Sequence, residues 1–416
     1  METFPFLRTV MDIGFMFKNS YNCTKKVMTM GDSMKPDLHR TRLDMVCHLQ
    51  ERMRSGYERY LDEQKLEWEG GLLKTYLVEA DIVDKINDSH NQILKYLHTQ
   101  AESFNYSPEE LDEENFFALV AGSRAGRQVK FDIYYVDASD HRFWVVYTVG
   151  HSTRTDNFMD KLVTNSTKLD NAWFPMQFLS KLVEKEFFNG LGGRFNNDPF
   201  TKEADDQLKI SLKLWGNLAK DVFDAFQNSE RLRRMFSLSS VRLKRYFKGT
   251  DESITDDVNF FGKVTSMGQS FDSHLDLVNK FYKGEYKHRI VQIIEGELAI
   301  GVDDQSDVAI LKGEPMFVRF GNIIPDIELF VRSLFSGTAP FRLWGLQQII
   351  KRDFARIYAV DLHLGRTLTF EVFPDTIRIF LPLGTCGNTI ARFFTLFQHH
   401  YDSSAELLGG RYDHLF

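Results

Sequence analysis

Cysteine is scarce in this chain: Cys23, Cys47 and Cys386 are three in 416 residues, odd in number and far apart. That spacing excludes a disulfide framework and zinc sites built on CxxC pairs, and it points to a reducing compartment, the cytoplasm. Long apolar runs are missing too. The stretch from Phe4 to Phe17 is broken by Arg8 and Asp12 and is not followed by a clean small-residue cleavage site. It therefore reads neither as a membrane span, which needs about 18 uninterrupted apolar residues, nor as a secretory leader, and a soluble chain without membrane partners is expected. Nor is there an excess of positive charge. With 51 Lys and Arg against 58 Asp and Glu, the formal charge is −7, which excludes a protein whose whole surface grips nucleic acid. What is plentiful is aromatic carbon: 37 Phe residues and 14% aromatic content overall, ample material for a large core.

The pattern along the chain predicts an α+β fold, with a helical N-terminal region followed by strand-to-helix units whose helices pack on one face of curved antiparallel sheets. Residues 1–36 read as an extension, 37–120 as the helical region, 121–285 as a first α+β domain and 286–416 as a second. A helix is expected from Leu38 to Trp68, with Asp37 as its cap, because Leu38, Val46, Leu49, Met53 and Tyr57 recur at helical steps. A second helix is expected from Asp81 to His98, and Ser107-Pro108-Glu109-Glu110 reads as a further helix start. From residue 129 the grammar changes to alternating β-branched and aromatic residues. Val129–Tyr135 and Phe143–Val149 predict a hairpin, followed by the polar connector Gly150–Asp156 and a helix. Strands are likewise expected at Leu208–Leu214, Val241–Phe247, Val258–Val264, Ile290–Ile294, Met316–Phe320, Arg356–Leu362, Thr367–Phe373 and Thr376–Leu381. Short links between strands argue for antiparallel pairing, and the sheet face away from the helices is open to a partner.

The densest electrostatic feature is a cationic strip: Arg231, Arg233, Arg234, Arg242, Lys244, Arg245 and Lys248, with no acid among them in sequence. On a strand, Arg242 and Lys244 share one face. Contact with the phosphates of DNA or RNA is the functional reading; a solvated face, or one that meets an acidic protein, accounts for the same residues. Arg124, Arg127 and Lys130 flank a glycine-containing turn that matches neither a Walker loop nor a dinucleotide fingerprint.

Other constellations are thinner. Asp361 and His363 alternate on a strand in the manner of metal ligands, but no third ligand is identifiable. His399 and His400 with Asp402 end the last helix, Gly150-His151-Ser152-Thr153-Arg154 gathers polar groups on a connector, and Cys386 precedes a helix start. The last could lower a thiol pKa, yet no base accompanies it. Asp170 to Pro175 reads as a helix start.

Together these features predict a non-enzymatic binding subunit, without a cofactor, that docks to protein partners or to itself and takes DNA or RNA through the strip. The alternatives are a metal-dependent hydrolase or nuclease centred on Asp361 and His363, and a purely structural assembly protein.

Overall fold

The structure is a computed structural model that describes residues 36–63, 72–125, 128–201, 207–216, 218–247, 249, 252–297, 300–302, 309–311, 314–382 and 384–416. The expected extension up to residue 35, Arg127 and Lys248 lie outside them.

The N-terminal region carries helices α1 (Arg42–Glu63) and α2 (Ser89–Phe104). At the start of α1 the Asp44 amide donates to Thr41 Oγ1, so Thr41 rather than Asp37 supplies the cap. Strands also arise here, and they build the centre of the molecule. β1 (Leu73–Ala80) has all eight residues buried. β2 (Tyr106–Glu110) contains the segment expected to open a helix, and β3 (Phe116–Ala125) and β4 (Gln128–Asp137) form a long hairpin. β5 (Phe143–Thr148) leads into α3 (Ser152–Thr164), and β6 (Leu169–Asn171) into α4 (Met176–Val183). Asp170 is thus a strand residue, not part of a helix start.

Next come β7 (Phe188–Asn196), β8 (Lys209–Trp215), the helices α5 (Ala219–Asn228) and α6 (Glu230–Arg233), and then β9 (Ser237–Tyr246), β10 (Ser253–Asn259) and β11 (Lys263–Gly268). All of these strands join one antiparallel sheet in the order β2-β3-β4-β5-β1-β11-β10-β9-β7-β8, with β6 beside β1. β1 pairs β5 along one edge; along the other, β11 takes its first half and β6 its last residues.

Helix α7 (Phe271–Val278) continues through π-helical turns at Asn279–Tyr286 and Arg289–Ile294. The Ile290–Ile294 run is therefore helical, where its apolar β-branched residues predict a strand. Beyond the short pair β12 (Ile300–Val302) and β13 (Ala309–Leu311) lies β14 (Met316–Arg319), then α8 (Ile327–Leu334), capped by Asp326. Strands β15 (Leu343–Lys351), β16 (Phe354–Asp361), β17 (Thr367–Val372) and β18 (Thr376–Phe380) follow, then α9 (Gly387–His400) and β19 (Glu406–Leu408). The second sheet runs β15-β16-β17-β18-β14-β19, again antiparallel.

The α+β class stands as expected. Around β1 and β5, however, the large sheet is covered on both faces. Leu73, Leu77, Val145 and Tyr147 join the main core with Leu49, Phe271 and Tyr282, while Tyr76, Val78, Trp144 and Val146 pack on Ile93, Leu97, Met159 and Leu162 of α2 and α3. The main core also takes in Ile357, Phe370 and Ile379 of the second sheet and Phe393 and Phe397 of α9. One apolar body thus spans residues expected to divide near residue 286. Cys47 is disulfide-bonded, whereas three scattered cysteines predict thiols. Among the described residues no helix is long and apolar enough to cross a membrane.

Close backbone approach sets a sharp constraint on β7. A Cβ at Gly193 would fall 1.9 Å from Cε2 of Phe236, a fully buried ring stacked on Phe226 at 4.4 Å. Gly193→Ala is expected to destabilise the fold by about 1–3 kcal/mol through overpacking, measured as a lower midpoint in urea unfolding at an unchanged slope.

Candidate functional sites

The Asp361–His363 pair lies at the junction of the two sheets, inside a buried polar network in which the carboxylates are well bonded but both His363 ring nitrogens and Arg392 Nε have no hydrogen bond to a described residue. The last helix α9 is buried along almost its whole length, so its one arginine, Arg392, must find its partners internally. Arg392 donates one nitrogen to Asp170 on β6 and another to Asp361 at the end of β16. Asp361 also accepts from Thr389 Oγ1 at 2.7 Å and from the His363 amide at 3.1 Å, and Trp173 Nε1 donates to Asp170 at 3.0 Å. Burial by itself raises the Asp361 pKa; Arg392, Thr389 and His363 outweigh it and hold the carboxyl below the usual range.

Beside this lies a second knot. Glu79 of β1 accepts from Arg142 at 2.7 Å and from Cys386 Sγ at 3.3 Å, with His363 Nε2 at 3.4 Å. Arg142 forks onto Glu295 at 2.5 and 3.0 Å, and Glu295 receives the Gly387 amide at the start of α9. Burial pushes the Cys386 thiol well up, and Glu79 adds to that. Its position before a helix therefore does not make it a thiolate nucleophile. Among the described residues no group of three or more His, Cys, Asp and Glu side chains is arranged to hold a metal ion.

A comparable cluster escaped the sequence reading. His274 of α7 meets Thr75 Oγ1 through Nε2 at 2.8 Å and Asp256 through Nδ1 at 2.9 Å; Ser266 and Arg245 complete the shell of Asp256 at 2.5 Å each. The hydroxyl–imidazole–carboxylate order is that of a hydrolase triad. All of Thr75, His274 and Asp256 are fully buried in the core, so no substrate reaches them, and the chain serves to tie α7 to the sheet. The C-terminal histidines do not converge either. His399 packs on Phe260 at 4.0 Å, with burial and then His400 driving its pKa down to about 3; His400 Nδ1 faces the Asn196 carbonyl, and Asp402 accepts from the amides of Gly321 and Asn322.

The cationic strip divides between opposite sides of the chain. On β9, Arg242, Lys244 and Tyr246 share the outward face, as the alternation predicts, whereas Arg245 turns inward to the buried carboxylate of Asp256. Arg242 pairs with Asp257 at 3.1 Å and lies 3.4 Å over the Trp215 ring, and Lys244 sits 5.0 Å from the ring of Tyr246. Arg234 is held by Glu230 and the Gly321 carbonyl. Arg231 and Arg233 are exposed on the single turn of α6. What the sequence reading missed is the neighbourhood of Arg242. The edge strand β8 exposes Lys209, Ser211, Lys213 and Trp215 in alternation, and Arg194 of β7 is exposed between the two strands. Gly190 forms the floor there, since a Cβ on it would come within 2.7 Å of the Trp215 ring. Arg124 and Lys130 stand near the tip of the β3–β4 hairpin, away from this face.

The Gly150–Arg154 connector borders a real cleft. β4 pairs β5 only from Tyr135↔Tyr147 to Asp137↔Val145. Where the strands part, a cleft of about 460 Å³ opens, lined by Phe131, Asp132, Gly150, His151 and Arg154 and, from α1, by His48 and Arg52. Arg154 clasps Asp132 at 2.8 and 3.1 Å. A Cβ at Gly150 would lie 2.5 Å from Asp132 Oδ1, so glycine lets the connector close over that pair. Burial, then His39 and Arg52, bring the His48 pKa down to about 4, leaving a neutral ring in the wall.

A family described as MJECL33-like protein matches residues 34–416, and the chain belongs to it. A relative from Methanocaldococcus jannaschii, Uncharacterized protein MJECL33, is 28% identical over 400 residues, which cover 86% of this chain and 91% of the relative. No solved structure matches the chain significantly.

Removing the guanidinium between Asp170 and Asp361 leaves two buried carboxylates without their shared cation. Arg392→Leu is expected to cost about 3–5 kcal/mol near pH 7. Because the Asp361 pKa is lowered in the fold, the stability it contributes is present above the ordinary aspartate value of about 3.9 and fades as pH falls through the lower folded value. The gap between variant and parent in urea unfolding should therefore shrink in acid; a gap that stays constant down to acid pH contradicts the assignment.

Proposed function

We propose that this member of the MJECL33-like family is a non-enzymatic binding subunit, and that the outer face of β7, β8 and β9 takes single-stranded DNA or RNA. The supporting observation is a sheet face on which two exposed rings, Trp215 at 48% and Tyr246 at 71%, stand among Arg194, Lys213, Arg242 and Lys244. A pleated face spaces side chains about 6–7 Å apart along a strand. It therefore offers flat rings for bases and flexible cations for phosphates, without needing to read a sequence. Asp257 neutralises part of Arg242, but Lys213 and Lys244 make no ion pair among the described residues. The chain's net charge of −7 repels a polyanion elsewhere, which favours local, strongly salt-dependent binding over a general coating. The same reading accounts for the buried Asp361–His363 and Thr75–His274–Asp256 constellations as structural, and assigns the chain no reaction.

A second contact of the same subunit is supported by a separate observation. On β15, at the edge of the small sheet, Trp344 and Leu346 are exposed on one face, with the exposed Tyr358 opposite Leu346 on β16. Exposed apolar side chains near a sheet edge that is bridged, among the described residues, only at its start, by Ser336 to Trp344, suit a protein partner.

Fluorescence anisotropy with a labelled oligothymidylate tests the first contact. Binding is expected at low salt and should weaken steeply as salt rises. Trp215→Ala should lose about 1–3 kcal/mol, and the Arg242→Ala/Lys244→Ala pair should flatten the salt slope. No binding at low salt, or binding indifferent to these changes, overturns the reading.

A further inference from the structure

The cleft between β4 and β5 carries an electrostatic imbalance that the sheet-face reading does not use. Its wall holds Arg52 and Arg154 but, among its lining residues, one carboxylate, Asp132, which Arg154 already clasps. Arg52 is exposed on α1 and makes no ion pair among the described residues. Directly behind the wall lies Lys74 of β1. It is fully buried, donates its Nζ to the Gly150 carbonyl, and has no carboxylate within ion-pairing distance among the described residues. Its neighbour Lys263 takes Asp156 at 2.6 Å, and Asp156 also accepts from Tyr76 at 2.6 Å. Around Lys74, Lys263 and Arg154 stand the carboxylates Asp132 and Asp156, while Arg52 makes no ion pair with any described residue. An uncompensated cation in a water-poor setting attracts an anion more strongly than a surface lysine does.

The connector adds direction to this charge. His151 precedes the first turn of α3, a helix of 13 residues, and makes no side-chain cap. The positive end of that helix and its free amides thus open beside Gly150 and Arg154. The ring of Phe131, 37% exposed, gives the lining an apolar part.

We propose that this cleft binds a small phosphate monoester, its phosphoryl group between Arg52, Arg154 and the start of α3 and its flat apolar body against Phe131. The Arg52 guanidinium, the positive field of the Arg154–Asp132 pair's cation and the helix amides suit the three oxygens of a phosphoryl group better than the two of a carboxylate. A volume of about 460 Å³ is that of an ordinary small-molecule site.

Calorimetric titration of the full chain with phenyl phosphate, inorganic phosphate and benzoate tests this. Phenyl phosphate should bind at one site per chain and more tightly than either of the others. Arg52→Gln removes an exposed cation that no packing depends on, and it should weaken that binding roughly tenfold. Phe131→Ala should bring phenyl phosphate down to the affinity of inorganic phosphate. Trp215→Ala, on the opposite wing of the sheet, should change nothing here, so failure of this site and failure of the sheet-face reading are separable. Absence of binding at millimolar phenyl phosphate, benzoate binding as tightly, or indifference to Arg52→Gln overturns the proposal.

Discussion

A single buried guanidinium, that of Arg392, sits between Asp170 of the large sheet and Asp361 of the small one, and the architecture is arranged around that charge. Taking three ionised groups out of water is costly, and their attraction offsets the cost only if each remaining lone pair is also satisfied. Here Thr389, the His363 amide and Trp173 supply those bonds to the two carboxylates, and Arg392 Nε alone of the guanidinium nitrogens has no hydrogen bond to a described residue. Such a triad tolerates no sliding, since a shift of one residue in β6 or β16 would turn its carboxylate to the other face. The apolar core that spans both sheets supplies most of the stabilisation, and the charges fix the register in which it packs. Arg142, forked onto Glu295 and touching Glu79, does the same on the other side of Cys386.

This arrangement decides where function can lie. The groups that look most chemical in isolation, namely Asp361, His363, Cys386, His274 and Asp256, are all buried and largely occupied with one another. Groups with spare charge lie at the periphery: Lys213, Lys244 and Arg194 on the uncovered wing of the large sheet, and Arg52 in the cleft where β4 leaves β5. The two helices that cover the other wing, α2 and α3, stop short of β7 and β8. One sheet is thus a core element at one end and a binding surface at the other.

Much of this was legible in the sequence where periodicity was clean. The hairpin at Phe143–Val149, the run from β16 to α9, and the shared face of Arg242 and Lys244 follow from alternation alone. β1 was not legible, because a strand buried on both faces and carrying Lys74, Thr75 and Glu79 has no polar side to alternate with. Pro108 disguised β2, an edge strand, as a helix start. The Ile290–Ile294 run misled in the opposite sense: a short apolar run fits a strand or a buried helix equally, and tertiary packing after α7 decides for the helix. Among the sites, the Asp361–His363 spacing was visible, but the arginine that occupies Asp361 lies 31 residues on. Likewise, nothing near Arg245 in the chain announced that Asp256 would turn it inward. The Gly150–Arg154 connector was recognisable by composition; the cleft beside it exists because two strands diverge, which no local pattern encodes.

The central claim is that the Arg392 triad makes two sheets one cooperative body, leaving function to its edges. Native-state hydrogen exchange across a denaturant series measures this directly. Amides of β1 in the large sheet and of β16 in the small one should exchange with the same opening free energy and the same denaturant dependence, as parts of one global unfolding unit. If β16 opens at a distinctly lower free energy and a smaller slope while β1 stays protected, the two sheets unfold separately and the claim is wrong.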